Sequence, residues 1–259
     1  MIRLHIRQET AHFRIPTIGS PCLSYPLPPP STIYGFLRAV TDYKSINPTN
    51  TYLSIQGYFK AVSFEKERLI EIKTRETTTN VIPIQKFHQC EWVVHVKSPY
   101  EEEIVRGIEN TNRILRLGRR EDLVIDIEVK TNLAEEKLNK GQFDKIRTKL
   151  NRTTKIWKPW KLSLEELFEE NADRKIYQML GEAYQPLCEG NRSSVFRVPL
   201  DSRLENGKIV EYVFVNLMYT STSLRFPSFS KLIEGECSVI SDGEYLIDWI
   251  GKEHVLEWI

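Results

Sequence analysis

The chain has 259 residues, 41% hydrophobic and 27% charged, which allows one large domain or two small ones and is ample for a core. No apolar run approaches the ~20 residues of a membrane span, and the start, MIRLHIRQET, lacks a signal-peptide hydrophobic region, so a cytoplasmic location is expected. Net charge is +1, so a nucleic-acid reading must rest on where the cations cluster, not on their total.

Residues 1–7 alternate Ile2, Leu4 and Ile6 with Arg3, His5 and Arg7, which predicts a strand with one apolar and one basic face. Residues 8–27 read as a long loop carrying His12, Phe13, Arg14, Gly19 and Ser20. Pro26, Pro28, Pro29 and Pro30 then impose an extended approach, because proline locks φ and biases the preceding residue away from helix. Ser31 is placed to cap a helix whose apolar face is Ile33, Phe36, Leu37 and Val40. A helix start bearing the hydroxyls of Ser31 and Thr32 suits a phosphate; the alternative is a proline lead-in that only docks a core helix. Gly35 inside the helix costs about 1 kcal/mol relative to alanine, which predicts close approach of another backbone.

Residues 41–51 read as a polar linker. Residues 58–64 and 68–74 read as two strands joined by a charged turn at Glu65, Lys66 and Glu67. Residues 75–89 read as an irregular, protruding hairpin or loop containing Arg75, Lys86, Phe87 and His88, and residues 91–97 as another strand. Ser98-Pro99-Tyr100-Glu101 forms a capping box with proline at the first helical position, and Ile104, Val105 and Ile108 supply the apolar side of a helix ending near Asn112. Arg113, Arg116, Gly118, Arg119 and Arg120 follow, then a strand over residues 125–129. The order strand, helix, strands, helix, strand predicts an α+β, ferredoxin-like (RRM-like) domain over residues 1–130 with a β-hairpin thumb inserted at about 75–90.

Residues 131–185 read as a basic, then acidic, helical insertion. Between Lys137 and Lys161 there are nine Lys or Arg and one acid, Asp144, with Phe143, Trp157 and Trp160 interleaved; residues 165–173 carry five acids. Ser163 is placed to cap a helix with Glu166 three residues on. Residues 186–259 read as a β-rich C-terminal subdomain, with strands at 194–198, 208–218 and 237–248 and turns at 205–207 and 241–243.

A thumb carrying an aromatic among cations suits a single strand, because bases stack while cations track phosphates. A glycine among arginines lets backbone N–H groups approach a phosphate that arginine grips bidentately. Cations at Lys149, Arg152, Lys155 and Lys158 around Trp157 form a further candidate nucleic-acid stretch, against the alternative of a solvated charged loop. Cys22, Cys90, Cys188 and Cys237 stand far apart without a CxxC pair, so buried thiols are expected rather than a zinc site or disulfides. His95, among valines, reads as structural. No Walker motif, GxSxG, HExxH or paired metal-binding carboxylates are present, and no cofactor or metal is expected.

The stretch YPLPPPSTIYGFL, after a first strand and a loop bearing Phe13-Arg14, resembles the amino-terminal signature of the fifth family of CRISPR-associated (Cas) proteins, within the repeat-associated RNA-binding superfamily. Leu117-Gly118-Arg119-Arg120 resembles that family's LGR-containing segment after the second helix. The matches span roughly the first half of the chain. The resemblance implies a ferredoxin-like fold whose thumb wraps guide RNA (crRNA). It also implies a non-catalytic subunit of a type I surveillance (Cascade) complex that caps the 5′ handle of crRNA in antiviral defence. Its partners would be crRNA, a repeating backbone subunit, a large subunit that reads target DNA, and target DNA itself. The expected RNA contacts are Arg14, Ser31, Thr32, Tyr34, Arg75, Lys86, Phe87, His88, Arg116, Gly118, Arg119 and Arg120. Some members of that family cut precursor crRNA without metal, using histidine, lysine and tyrosine; His88 and Lys86 with Tyr34 or Tyr43 would supply that alternative. A third reading is an RRM-like module with an unrelated RNA partner, against which stands the lack of an RNP1-type aromatic strand.

Overall fold

A computed structural model describes residues 1–72, 77–138, 141–142, 145–146, 154–159, 194–205, 208–221 and 239–252. The first half runs β1 (Ile2–Ala11), α1 (Pro30–Val40), β2 (Tyr52–Ile72), β3 (Thr77–Lys97), α2 (Glu101–Glu109) and β4 (Val124–Lys130). After it come β5 (Glu136–Leu138), β6 (Lys155–Pro159), β7 (Ser194–Glu205), β8 (Lys208–Ser221), β9 (Val239–Ser241) and β10 (Leu246–Ile247). The described chain is thus an α+β structure dominated by sheet. One seven-stranded sheet has the order β4-β1-β3-β2-β6-β8-β7, with every neighbour antiparallel. A smaller sheet has the order β10-β9-β5. Among the described residues no helix is long and apolar enough to cross a membrane.

β1 forms as its alternation predicts. Ile2, Leu4 and Ile6 are buried, and the opposite face meets acids at every step. Arg3 pairs with Asp242 and Glu244, the His5 ring with Glu91 at 3.2 Å, and Arg7 with Asp126 and Glu128, each at 2.9 Å. The strand continues four residues beyond the predicted 1–7, so part of the expected loop is strand. Asp242 draws the β9–β10 turn onto the sheet: its buried carboxylate also takes a 3.0 Å bond from His95, which is itself buried as expected.

α1 corrects two expectations. It begins at Pro30, and the residue before the first turn is Pro29 in extended conformation with no side-chain cap, so Ser31 is not the cap. Proline suits the first helical position because its missing N–H would have no partner there. The N–H of Thr32 already reaches the Pro29 carbonyl at 3.0 Å, which leaves fewer donors for an anion than expected. Gly35 is exposed, and a Cβ built on it meets nothing within 4 Å. The close backbone approach lies instead at Gly107 on α2, where an added Cβ would stand 1.9 Å from the Val40 carbonyl oxygen of α1. The proline lead-in docks on the core: the Trp157 indole N–H donates to the Pro28 carbonyl at 3.1 Å, and the Tyr25 hydroxyl to the Arg197 carbonyl at 2.7 Å.

At α2 the Ser98 N–H donates to the Glu101 carboxylate at 3.2 Å, but the Ser98 hydroxyl accepts from the Tyr100 N–H, and the helix opens at Glu101. Only half of the predicted box is formed.

β2 and β3 are each 21 residues long and pair from Tyr52↔Lys97 to Ile72↔Thr77. The expected turn at Glu65–Glu67 is mid-strand, and the stretch read as a loop at 75–89 enters β3. β1 covers β3 only over residues 87–96, and β6 meets β2 only at residues 56–57. From residue 62 onward the pair runs on as a two-stranded ribbon. At a rise of ~3.3 Å per residue it extends on the order of 35 Å. A short segment at Cys22 pairs with its β3 side, through Cys22 N–H to Pro83 (2.9 Å) and Gln85 N–H to Cys22 (3.0 Å). Cys22 and Cys90 are buried free thiols, and burial pushes the Cys90 thiol up to about 12.

Candidate nucleic-acid interface

Strand alternation splits Lys86, Phe87 and His88 between two faces of the ribbon. Phe87 is buried and stacks on Phe59, ring centres 4.2 Å apart, so it is a core residue and offers no face to a base. Lys86 lies between Glu65 and Glu67, at 2.7 and 2.8 Å. Burial alone would lower its pKa, but the two carboxylates outweigh burial and raise it. Glu67 also accepts both oxygens' worth of bonding from Arg119, at 3.0 Å each, and Arg119 pairs with Glu121 at 2.9 Å. Burial works against the Glu67 charge, yet Lys86 and Arg119 prevail and lower its pKa. The His88 ring shares a 2.7 Å bond with the Ser63 hydroxyl. Lys86 and Arg119 are thus largely neutralised inside the protein.

The Gly118 loop is brought against the ribbon by the Arg119–Glu67 pair, but its backbone serves a carboxylate. Gly118 has φ +111°, and an added Cβ would lie 2.9 Å from Asp122 Oδ2 and 3.1 Å from the His12 carbonyl. That same Oδ2 accepts from the Arg119 N–H at 2.9 Å and the His12 N–H at 3.2 Å. Burial raises the Asp122 pKa, with these bonds and Arg119 opposing. The expectation that Gly118 frees N–H groups for a phosphate is thus corrected at Arg119. The loop is further tied down by Gln8, whose side-chain amide donates to the Leu117 and Asp122 carbonyls at 2.9 and 3.0 Å and accepts from the Trp92 indole at 2.8 Å. Beside it His12 is buried, its ring 2.7 Å from the Gln85 carbonyl, and burial lowers its pKa.

Of the remaining expected contacts, Tyr34 is a core residue whose hydroxyl donates to the Thr51 carbonyl at 2.7 Å. Trp157 is likewise fully buried and cannot stack on a base. Lys158 pairs with Asp248 at 3.4 Å, and Lys155 is half-buried on β6. Ser31 and Thr32 are half-buried in the first turn of α1, whereas Arg14, Arg116 and Arg120 are exposed. Arg75, Lys149 and Arg152 lie outside the described residues, as do the predicted helix after Ser163, Cys188 and Cys237.

The structure also shows a face that sequence reasoning missed. Opposite Glu65 and Glu67, the residues Val62, Phe64, Lys66 and Arg68 all point to solvent, and Phe64 is 59% exposed. Val81 is exposed across from Arg68. Lys66 and Arg68 have no ion-pair partner among the described residues. Alternate side chains along a strand stand ~7 Å apart, so the ribbon presents one aromatic ring followed by two evenly spaced cations. The signal was in the sequence as Phe-Glu-Lys-Glu-Arg, a period-two pattern of opposite charges that a turn reading conceals.

No family model and no curated protein matches the chain. Solved structures that align with it include a chain of a CRISPR RNA-guided surveillance complex (15% identity, TM-score 0.37), covering 47% of this chain and 59% of that one. Another is a crystal structure of a Cas protein (15% identity, TM-score 0.35), covering 52% of this chain and 67% of that one. A third is a chain in a cryo-EM structure of a Type III-B Cmr-beta complex bound to cognate target RNA and AMPPnP (12% identity, TM-score 0.42), covering 86% of each chain.

Proposed function

We propose that the chain is an RNA-binding subunit of a CRISPR surveillance complex, that it holds the 5′ handle of guide RNA, and that it does not cut RNA. The observation that carries this reading is the solvent face of the ribbon, Phe64 with Lys66 and Arg68. Stacking on Phe64 and charge pairing at the two cations are the two terms that bind single strands. The motif resemblance in residues 25–37 and 117–120 supplies the kind of RNA. The order β4-β1-β3-β2 with two intervening helices supports a ferredoxin-like frame whose thumb is the β2–β3 ribbon. In that frame Arg14 is an exposed arginine left to meet a phosphate.

The non-catalytic reading is supported by how two of the candidate nuclease residues, Tyr34 and Lys86, are held. The Tyr34 hydroxyl is spent on Thr51 inside the core, and Lys86 sits between two carboxylates. A cation so neutralised is poorly suited to a developing phosphorane charge.

The test uses purified full-length protein and repeat-derived RNA in EDTA. The expected result is tight binding of an already cut 5′ handle, weaker binding of a scrambled RNA of equal length, and no product ending in a 2′,3′-cyclic phosphate. Equal affinity for handle and scrambled RNA would remove the handle assignment. Cleavage lost in His88→Ala would establish the nuclease instead.

A further inference from the structure

Residues 114–117 fold back on the start of β4. Arg116 bridges Leu123 in antiparallel sense, with Leu117 N–H to Asp122 carbonyl at 3.1 Å and Val124 N–H to Leu115 carbonyl at 2.9 Å. This makes Arg116 and Leu123 a non-hydrogen-bonded pair, the kind whose side chains lie closest. Ile114 lies two residues before Arg116, and Ile125 two residues after Leu123. Burial follows the alternation. Leu117 is buried, and Leu115 and Val124 pack on the core, whereas Ile114 is 70%, Ile125 65% and Leu123 44% exposed. A bulge between β4 and β1 falls here, since Arg7 pairs with Asp126 but Gln8 with Val124. Ile125 is the extra residue, and bulges re-aim side chains in this way.

We propose that Ile114, Arg116, Leu123 and Ile125 form a docking surface for an apolar, acidic segment of another protein. Three observations select that occupant. The exposed side chains are aliphatic, so they offer no ring for a base to stack on, which disfavours nucleic acid. Further along β4 the exposed side chains are charged and paired, with Asp126 and Glu128 on Arg7 and Lys130 on Glu244, whereas Leu123 and Ile125 at this end are apolar and exposed. Arg116 is exposed in the middle of the apolar face without an ion-pair partner among the described residues, and Arg120 is exposed on the adjoining turn. A segment with alternating aliphatic and acidic residues satisfies both the apolar area and the charge. The inference stands apart from the RNA reading, because none of its argument uses RNA.

The probe is a library of random dodecapeptides displayed on phage and selected on the full chain. Enriched peptides are expected to carry aliphatic residues with Asp or Glu. Their affinity should fall about tenfold or more in the double variant Ile114→Ser, Ile125→Ser, while the melting temperature holds because both side chains are exposed. Arg116→Glu should shift the selection toward Lys and Arg. The proposal is overturned by a failure to enrich, by enrichment of peptides without acids, or by undiminished binding to the double variant. Sedimentation that shows self-association dissolved by Ile125→Ser would also overturn it, in favour of a second copy of this chain.

Discussion

Phe64 and Phe87 lie near one another on the same hairpin and play opposite parts, and truncating each separates them. Phe64 is 59% exposed, so Phe64→Ala removes little packing, and a surface change of this type stays within about 0.5 kcal/mol of stability. If a base stacks on it, the loss in binding is ~1–3 kcal/mol, which is about 5- to 150-fold in Kd. Phe87 is 2% exposed and stacked on Phe59, so Phe87→Ala leaves a cavity costing about 3–5 kcal/mol of stability. Fluorescence anisotropy with a labelled 5′-handle RNA at fixed salt gives the first quantity, and urea unfolding gives the second. The expected pattern is weak RNA binding with unchanged stability for Phe64→Ala and reduced stability for Phe87→Ala. Unchanged Kd in Phe64→Ala would refute the ribbon face as the stacking platform.

Replacing Lys66 and Arg68 with Gln should flatten the dependence of log K on log salt by about 1.4, at ~0.7 per contact on a single strand; a titration series from low to high salt measures it, and an identical slope excludes both cations. Gly118→Ala places a Cβ 2.9 Å from Asp122 at φ +111° and should destabilise by about 1–3 kcal/mol, whereas Gly35→Ala, with nothing within 4 Å, should stabilise by up to ~1 kcal/mol; paired urea midpoints decide both. Asp242 gives the acid limb. Burial opposes its charge, but the bonds from His95 and from the Tyr245 and Glu244 amides prevail and hold it well below the usual carboxylate range. A lowered folded pKa means the stability is present above the unfolded value of ~3.9 and is lost as pH falls below it. The melting temperature of the natural protein should therefore drop below about pH 4, and Asp242→Asn should start lower at neutral pH and change less over that window; parallel acid limbs would refute the role.

Local chemistry alone determined a good part of this protein. The alternation of Ile2, Leu4 and Ile6 made β1, the apolar period made α1, and α2 and β4 were legible from their own repeats of 3.6 and two, whereas the two long strands between the helices were read as three shorter ones and a loop. The hairpins of the C-terminal part were legible from their turn residues. Tertiary structure decided what no local period encodes. Whether Glu65, Lys66 and Glu67 turn or continue depends on Ile82, Pro83 and Ile84 waiting across the ladder. Which of two phenylalanines is exposed depends on which part of the hairpin β1 covers. Residue type marked Lys86, Arg119, Tyr34 and Trp157 as binders, but a charge or a ring is available to RNA only if the fold leaves it unpaired. Glu67 on β2, Thr51 before it and the Pro28 carbonyl, far away in sequence, claimed them first. Proximity across long sequence separations is set by packing the whole chain, and that is why the elements could be read from the sequence while the identity of the free side chains could not.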